Sequence, residues 1–466
     1  MGPLTRGPGR GRVGVGKPGR PGRRRSVVGA QRSSRAPGAG GIRSDAYTRL
    51  VHWNWRRLRR VTSSGKYSPE IDGLRFLAIM SVFVFHVAEN LAHRDPAHWS
   101  IPLGESALAP YVVSGDKGVH LFFVISGLVL GLPFAAHALR GGSPVSLRSY
   151  FARRVTRLEP PYVVAMLGCY LVLRALAATD PPQPGNLLAS LFYGHGLVYG
   201  EPSLVNNVAW SLEVEIQFYL LVPVLTMLYR IRRAALRRGV FIALVLGAQT
   251  VSALLIEPGS RPSLTILYYA QFFLLGLFCA DLHVSGVTTQ GRRTPVADAT
   301  AVVLGGLTPW LLTADLAGGR AGEFLEGMLL LPTIMALYWA AFRGVYLSRL
   351  LSIEPLPVIG GMCYTIYLLH NIGQRIVLTG TAKLPRTGAW DVDLIVQVAA
   401  VAVPVLIPCV IFFVLIERPC MNPHWVSDLL ARLRGPRLPV DAADLHADAR
   451  VDPARDVPAP ERRQLR

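Results

Sequence analysis

Charge is scarce in this chain of 466 residues: only 17% are Asp, Glu, Lys or Arg, whereas 51% are apolar. With a mean hydropathy of +0.35, such a composition excludes an ordinary soluble enzyme, because the apolar residues must face lipid as well as one another. Cysteine is also scarce. The five present (Cys169, Cys279, Cys363, Cys409 and Cys420) show no CxxC pair and no metal-ligand spacing. They imply neither a disulfide framework nor a metal site, and read as small core residues. Acids are nearly missing from residues 1–66, where 17 Lys and Arg face Asp45 alone. Basic residues are missing in turn from 180–206.

The first 66 residues are rich in Gly, Pro, Arg and Ser and lack apolar periodicity, so they are expected to be a disordered tail. Three explanations stand for it: a cytoplasmic anchor to anionic lipid, a nucleic-acid-binding arm, or upstream sequence from a misplaced start. It lacks the order of a cleavable signal peptide. Nucleic acid is not an expected partner of the folded part. Residues 67–425 read as one membrane domain, and 426–466 as a cytoplasmic, mostly disordered tail.

A bilayer core takes about 20 helical residues to cross. Ten apolar stretches have that scale: 73–92, 117–139, 159–179, 207–229, 239–256, 264–283, 297–316, 325–342, 358–379 and 391–416. The expected fold is therefore all-α, a polytopic bundle of about ten transmembrane helices. Lys and Arg collect on the cytoplasmic side of a membrane protein. Arg140, Arg148, Arg153, Arg154 and Arg157 follow the second stretch, and Arg230, Arg232, Arg233, Arg237 and Arg238 follow the fourth. This puts both termini in the cytoplasm. The outward 180–206 connection carries Pro punctuation before LLASLFYGHGLVYG, which suits a re-entrant or interfacial helix.

Ionisable groups inside such spans are functional candidates, with structural pairing as the alternative for each. The first span, EIDGLRFLAIMSVFVFHVAEN, holds Arg75 and, eleven residues later, His86. Eleven steps of ~100° return to nearly one helix face, about 16 Å apart along the axis. A neutral imidazole there could take a proton from a hydroxyl. The second span opens KGVHLFFVISG, with His120 beside its mouth. In RSYFARRVTRLEPPY, Arg154 and Arg157 share a helical face, so their forks could grip one polyanion, or simply be a positive-inside cluster. NNVAWSLEVEIQFYLLVP carries two carboxylates; Glu213 and Glu215 lie ~200° apart, whereas Glu215 and Tyr219 share a face. The buried one of the two is expected to need a partner such as Arg or His. In IGGMCYTIYLLHN, Tyr364, Tyr367 and His370 line about two turns, and Tyr367 and His370 could meet.

Taken in order, IDGLRFLAIMSVFVFH, GVHLFFVISG, RRVTRLEPPY, WSLEVEIQFYLLVP, FFLLGLFCA, YTIYLLH and IERP resemble the acyltransferase 3 family of integral membrane acyltransferases, over roughly residues 67–425. The resemblance implies transfer of an acyl group, commonly acetyl, from cytoplasmic acyl-coenzyme A to sugars of cell-surface polymers or to other hydroxylated small molecules. It implies that His86 is the family's first-span histidine and Arg75 the arginine before it. Arg154 and Arg157 match its Arg-x-x-Arg element, where coenzyme phosphates are expected. Glu215 matches the fourth-span glutamate, with Trp210, Gln217, Phe218 and Tyr219 around it. There are departures: the family usually has an acid where this chain has His120, and it leaves the Glu213 position variable. Some relatives also append an extracytoplasmic hydrolase-like domain, which is not expected here.

The expectation is an O-acyltransferase of the bacterial cytoplasmic membrane, with acyl-coenzyme A as donor and no metal. His86 and Glu215 are the expected catalytic residues. Arg75, Arg154 and Arg157 are expected to bind the coenzyme, while His120, Trp210, Tyr219, Tyr367 and His370 orient the site. The acceptor is expected to be a carbohydrate, with a macrolide-like metabolite as the alternative. A glycan or lipid transporter is the rival from another class; the paired arginines are superfluous for a neutral cargo.

Overall fold

Pro69 can open a helix because the amide hydrogen it lacks would have no intrahelical partner, and Glu70 and Asp72 in the first turn complement the positive end of the helix dipole. The helix so started, α1 (Pro69–Arg94), ends with His93 and Arg94 in its last turn. A computed structural model describes residues 58–61, 67–176, 181–314, 318–422 and 425. The expected basic tail lies outside these residues except for 58–61, and the expected closing tail, 426–466, lies wholly outside them.

Among the described residues the chain is helical and has no strand. After α1 come α2 (Gly118–Arg140), α3 (Leu147–Ala175), the short α4 (Pro184–Leu191) and α5 (His195–Tyr199), and α6 (Trp210–Leu225). Then follow α7 (Ala234–Leu255), α8 (Ile266–Val284), α9 (Pro295–Thr313), α10 (Gly319–Arg343), α11 (Cys363–Thr381) and α12 (Trp390–Phe412). The two short helices occupy the segment expected to be re-entrant or interfacial.

Nine of the described helices are long and apolar enough to cross a membrane. The expectation of about ten differs at 358–379, which forms α11. That helix has 19 residues, but His370, Asn371, Gln374 and Arg375 make it too polar to join the nine. Thr365, His370 and Gln374 are fully buried in it, so α11 packs inside the bundle as a carrier of polar groups. The third helix also begins earlier than its apolar stretch. Ser146 caps α3 by accepting from the Ser149 amide at 3.4 Å, and this draws the basic loop into the helix.

Close helix crossings position the centre. Gly127 of α2 and Gly276 of α8 meet backbone to backbone, so that a β-carbon on either would collide with the other helix. Small residues serve this purpose where lipid supplies no hydrophobic force between helices. Around that crossing Phe123 stacks on Phe273 at 4.6 Å and Phe218 on Phe273 at 4.2 Å, joining α2, α6 and α8. Helices α1 and α11 run parallel: Phe83 lies against His370, Asn90 bonds Asn371, and Arg94 bonds the Arg375 carbonyl.

Candidate active site

A narrow cavity of about 120 Å³ opens between α1, α2, α3, α6 and α11. Four arginines line it: Arg60, Arg75, Arg154 and Arg157, together with Glu215, Glu417, Tyr219 and Tyr367. Six of the residues expected at the site therefore meet in one place: Arg75, Arg154, Arg157, Glu215, Tyr219 and Tyr367. They come from four helices.

The arginines are not equivalent. Arg75 donates through Nη1 to Asp72 Oδ1 at 2.6 Å, and Arg60 donates through Nε to the two Asp72 oxygens at 2.8 and 2.9 Å. Asp72 is fully buried, so this carboxylate fixes two cations at the cavity wall. Arg60 precedes α1; burial, then the Arg75 charge beside it, pushes its pKa down to about 10 against the opposing pull of Asp72. Arg154 and Arg157 differ. Each has a buried Nε without a hydrogen-bond partner, and neither pairs with a carboxylate among the described residues. The Arg154 guanidinium lies 5.8 Å from the ring centres of both Tyr150 and Tyr219, which hold it by cation–π attraction without neutralising it. A donor atom shut off from water and left unbonded is costly, and a polyanionic ligand would supply a partner.

Glu215 accepts from the Ser126 hydroxyl of α2. Glu215 is half-buried and shares its cavity with the arginines; the buried carboxylate of the two is Glu213, whose partner is a backbone amide in place of the expected Arg or His. Glu213, on the other face of α6, is 2% exposed and accepts from the Gly196 amide at 2.9 Å. It ties the start of α5 to α6, which is a structural task.

His86 stands apart from this cavity. Its Nδ1 lies 2.7 Å from Glu89 Oε2. A carboxylate accepts, so Nδ1 carries the proton, and in the neutral ring Nε2 keeps the lone pair. The ring sits 5.2 Å from the ring of His370, which is in turn 5.8 Å from that of Tyr367. Tyr367 reaches the cavity wall, so Tyr367 and His370 stand between the arginines and His86. His370 donates from Nδ1 to the carbonyls of Ile366 and Tyr367, at 3.0 and 2.9 Å, and its buried Nε2 has no partner. Tyr367 Oη bonds Ser211 Oγ at 2.7 Å and donates to the Val208 carbonyl at 3.0 Å. Trp210 packs on Tyr269 at 5.1 Å and His120 on Phe272 at 4.5 Å. Both lie outside the cavity lining, and no ion pair is made at His120.

Asp72, Arg60, Ser126, Glu89 and Glu417 were not among the residues expected at the site. Glu417 is 1% exposed and accepts from the Thr365 amide at 3.2 Å. A signal existed for three of them: Asp72 lies in IDG, Ser126 in VISG and Glu417 in IERP, all within the stretches that carried the resemblance.

Residues 68–414 match the family of acyltransferase domains whose likeness the motifs carried. The chain belongs to the acyltransferase 3 family. Its similar proteins include the peptidoglycan O-acetyltransferase OatA of Listeria monocytogenes, 28% identical over 372 residues, which cover 74% of this chain and 55% of that protein. The putative peptidoglycan O-acetyltransferase YrhL of Bacillus subtilis is 29% identical over 339 residues, 66% of this chain and 49% of that protein. The O-acetyltransferase OatA of Staphylococcus aureus is 23% identical over 337 residues, 68% and 52% of the two chains. The chain thus spans about half the length of the curated relatives it matches. No solved structure matches it.

Proposed function

We propose that this protein is a membrane O-acyltransferase that moves an acyl group, acetyl first among the candidates, from acyl-coenzyme A to a hydroxyl of a cell-surface carbohydrate. The observation that carries the donor is the pair Arg154 and Arg157, half-buried side chains whose buried Nε atoms have no hydrogen-bond partner and which make no ion pair among the described residues, in a cavity that also holds Arg60 and Arg75. Coenzyme A brings phosphates to match them. Its thioester sits at the end of a long flexible arm, which is what a His86 set about 16 Å along α1 from Arg75 requires. Tyr367 and His370 lie on that path.

At the reacting end, His86 takes the hydroxyl proton on Nε2 as the ester C–O bond forms. The thioester C–S bond breaks, and the proton passes on to the departing sulfur. One thioester and one alcohol give one ester and one thiol. In a two-step variant the imidazole carries the acyl group between donor and acceptor. Glu89 holds the ring in the productive tautomer, as a carboxylate does in a catalytic triad. Glu215, oriented by Ser126, balances the arginine charge near the donor.

The carbohydrate acceptor is supported by the relatives named as peptidoglycan O-acetyltransferases; a macrolide-like metabolite is the alternative. The basic connections at 140–157 and 230–238 favour a bacterial cytoplasmic membrane with the Arg154 end inside and both termini cytoplasmic. On this reading α11 is the tenth crossing. The test is transfer of radiolabel from acetyl-coenzyme A to membrane glycans, with wild type compared with Arg154→Ala/Arg157→Ala and His86→Ala at matched expression. Alkali-labile label that disappears in the variants is expected. No label from any common acyl-coenzyme A would return the reading to a transporter.

A further inference from the structure

A second hollow, about 410 Å³, opens at the Arg94 end of α1 and α11. It is larger than the arginine cavity and, Leu378 apart, lined by polar side chains. Its floor is a row of carboxamides that hold one another. Asn90 Nδ2 donates to Asn371 Oδ1 at 3.0 Å and to the His86 carbonyl at 2.7 Å, and Asn371 Nδ2 donates to Asn207 Oδ1 at 2.6 Å. Gln374, fully buried beneath, donates to the Phe83 carbonyl at 3.0 Å. This bonding holds the three carboxamides in place, so that their remaining donors and acceptors are positioned to read hydroxyl and acetamido groups.

The charges at this hollow are unbalanced in one direction. Its one lining carboxylate, Glu89, is engaged by His86. Two guanidiniums, Arg94 and Arg375, stand at the rim, and neither is paired with a carboxylate among the described residues. Arg94 makes one donation, to the Arg375 carbonyl at 3.3 Å, which draws the two residues together. Both side chains are exposed, so their guanidinium forks are open to an incoming anion. Arginine forks match a carboxylate in two-point fashion.

We propose that this hollow is the acceptor subsite and that it takes a carbohydrate bearing a carboxylate. The acid lies on Arg94 and Arg375, and the hydroxyl to be acylated lies toward His86, about 12 Å back along α1 by helical rise. The carboxamide floor reads the ring substituents between. This rests on the O-acyl transfer reading and adds the acceptor's charge class to it.

The test uses the full chain in lipid nanodiscs and two radiolabelled probes, an oligosaccharide containing glucuronic acid and the same oligosaccharide with its carboxyl groups reduced to alcohols. Equilibrium dialysis of the wild type should give at least tenfold tighter binding of the acidic probe. Arg94→Gln/Arg375→Gln should bring the ratio to about one and raise the acceptor KM more than it lowers kcat. Equal binding of both probes by the wild type, or a ratio that survives in the double variant, would overturn the proposal. Acetyl transfer is measured separately on the same preparations. Absent transfer with an intact binding ratio would count against the acyltransferase reading alone, and transfer to both probes at equal rates would count against the subsite alone.

Discussion

At the Arg75 end of α1 and α11, four arginines crowd a narrow cavity with two glutamates; at the Arg94 end, carboxamides bonded to each other floor a wide hollow rimmed by two arginines. The first arrangement gathers four guanidiniums, two of them with an unbonded Nε, around one cavity, which on the proposed reading suits a small, highly charged group such as a nucleotide's phosphates. The second spends much of its polar lining on internal bonds, which on the proposed reading suits an acidic ligand with many hydroxyls. His86 lies between them, held by Glu89, which lines the wide hollow, and touching His370, whose neighbour Tyr367 lines the narrow one. On the proposed reading donor and acceptor are kept at opposite ends, with the imidazole between them.

The comparison would break most sharply at His86. His86→Ala should lower kcat by 10²- to 10⁴-fold, the usual worth of general acid–base catalysis, while acyl-coenzyme A binding and thermal unfolding stay near wild type. Single-turnover transfer together with a donor-binding isotherm checks this; normal turnover in a well-folded preparation would remove His86 from the mechanism. Next in size is Arg154→Ala/Arg157→Ala. Charge-assisted hydrogen bonds contribute about 1.5–3 kcal/mol each, so the donor Kd should rise at least tenfold, with a weaker dependence on salt. If the acceptor KM rose instead, the assignment of the two ends would be reversed. Glu89→Gln should act on the reacting end alone, lowering kcat roughly tenfold with both KM values little changed, because the amide can still meet Nδ1–H but no longer offsets a positive ring.

Much of this was legible from the residues themselves. The spacing of Arg75 and His86 put both on the side of α1 that α11 covers, and the Arg-x-x-Arg pair does share one cavity with Glu215. The opposed faces of Glu213 and Glu215 proved correct: one lines the cavity and the other holds α5. Other features were hidden for physical reasons. Asp72 sits at the helix start, where an acid is expected for the dipole alone, so its clasp on Arg60 and Arg75 needed the fold to be seen. Arg237 and Arg238 looked like loop cations of a positive-inside rule, yet both bond Asp281, which lies far along the chain in α8. Glu89 and Asn371 drew no reading from the sequence. Their places, one beside the His86 imidazole and the other bonded to Asn90, depend on two parallel helices that are 281 residues apart at the Asn90–Asn371 contact.

The smallest expected effect gives the finest division between the two ends. Ser126 donates to Glu215 and lines the arginine cavity, but no residue of the Arg94 hollow contacts it. Ser126→Ala removes one hydrogen bond between half-buried groups, about 0.5–1 kcal/mol in the step that depends on it, the low end for a hydrogen bond, so a two- to fivefold change is expected. If Glu215 orients the donor, the change should appear in the donor KM and leave the acceptor KM alone. Glu213→Gln is the matched control on the same helix: it should lower the unfolding temperature by loosening the Gly196 amide contact and leave the donor KM as it was. Initial rates over a grid of donor and acceptor concentrations for both variants separate these outcomes. A Ser126→Ala effect on the acceptor KM would mean that the two hollows communicate through more than His86.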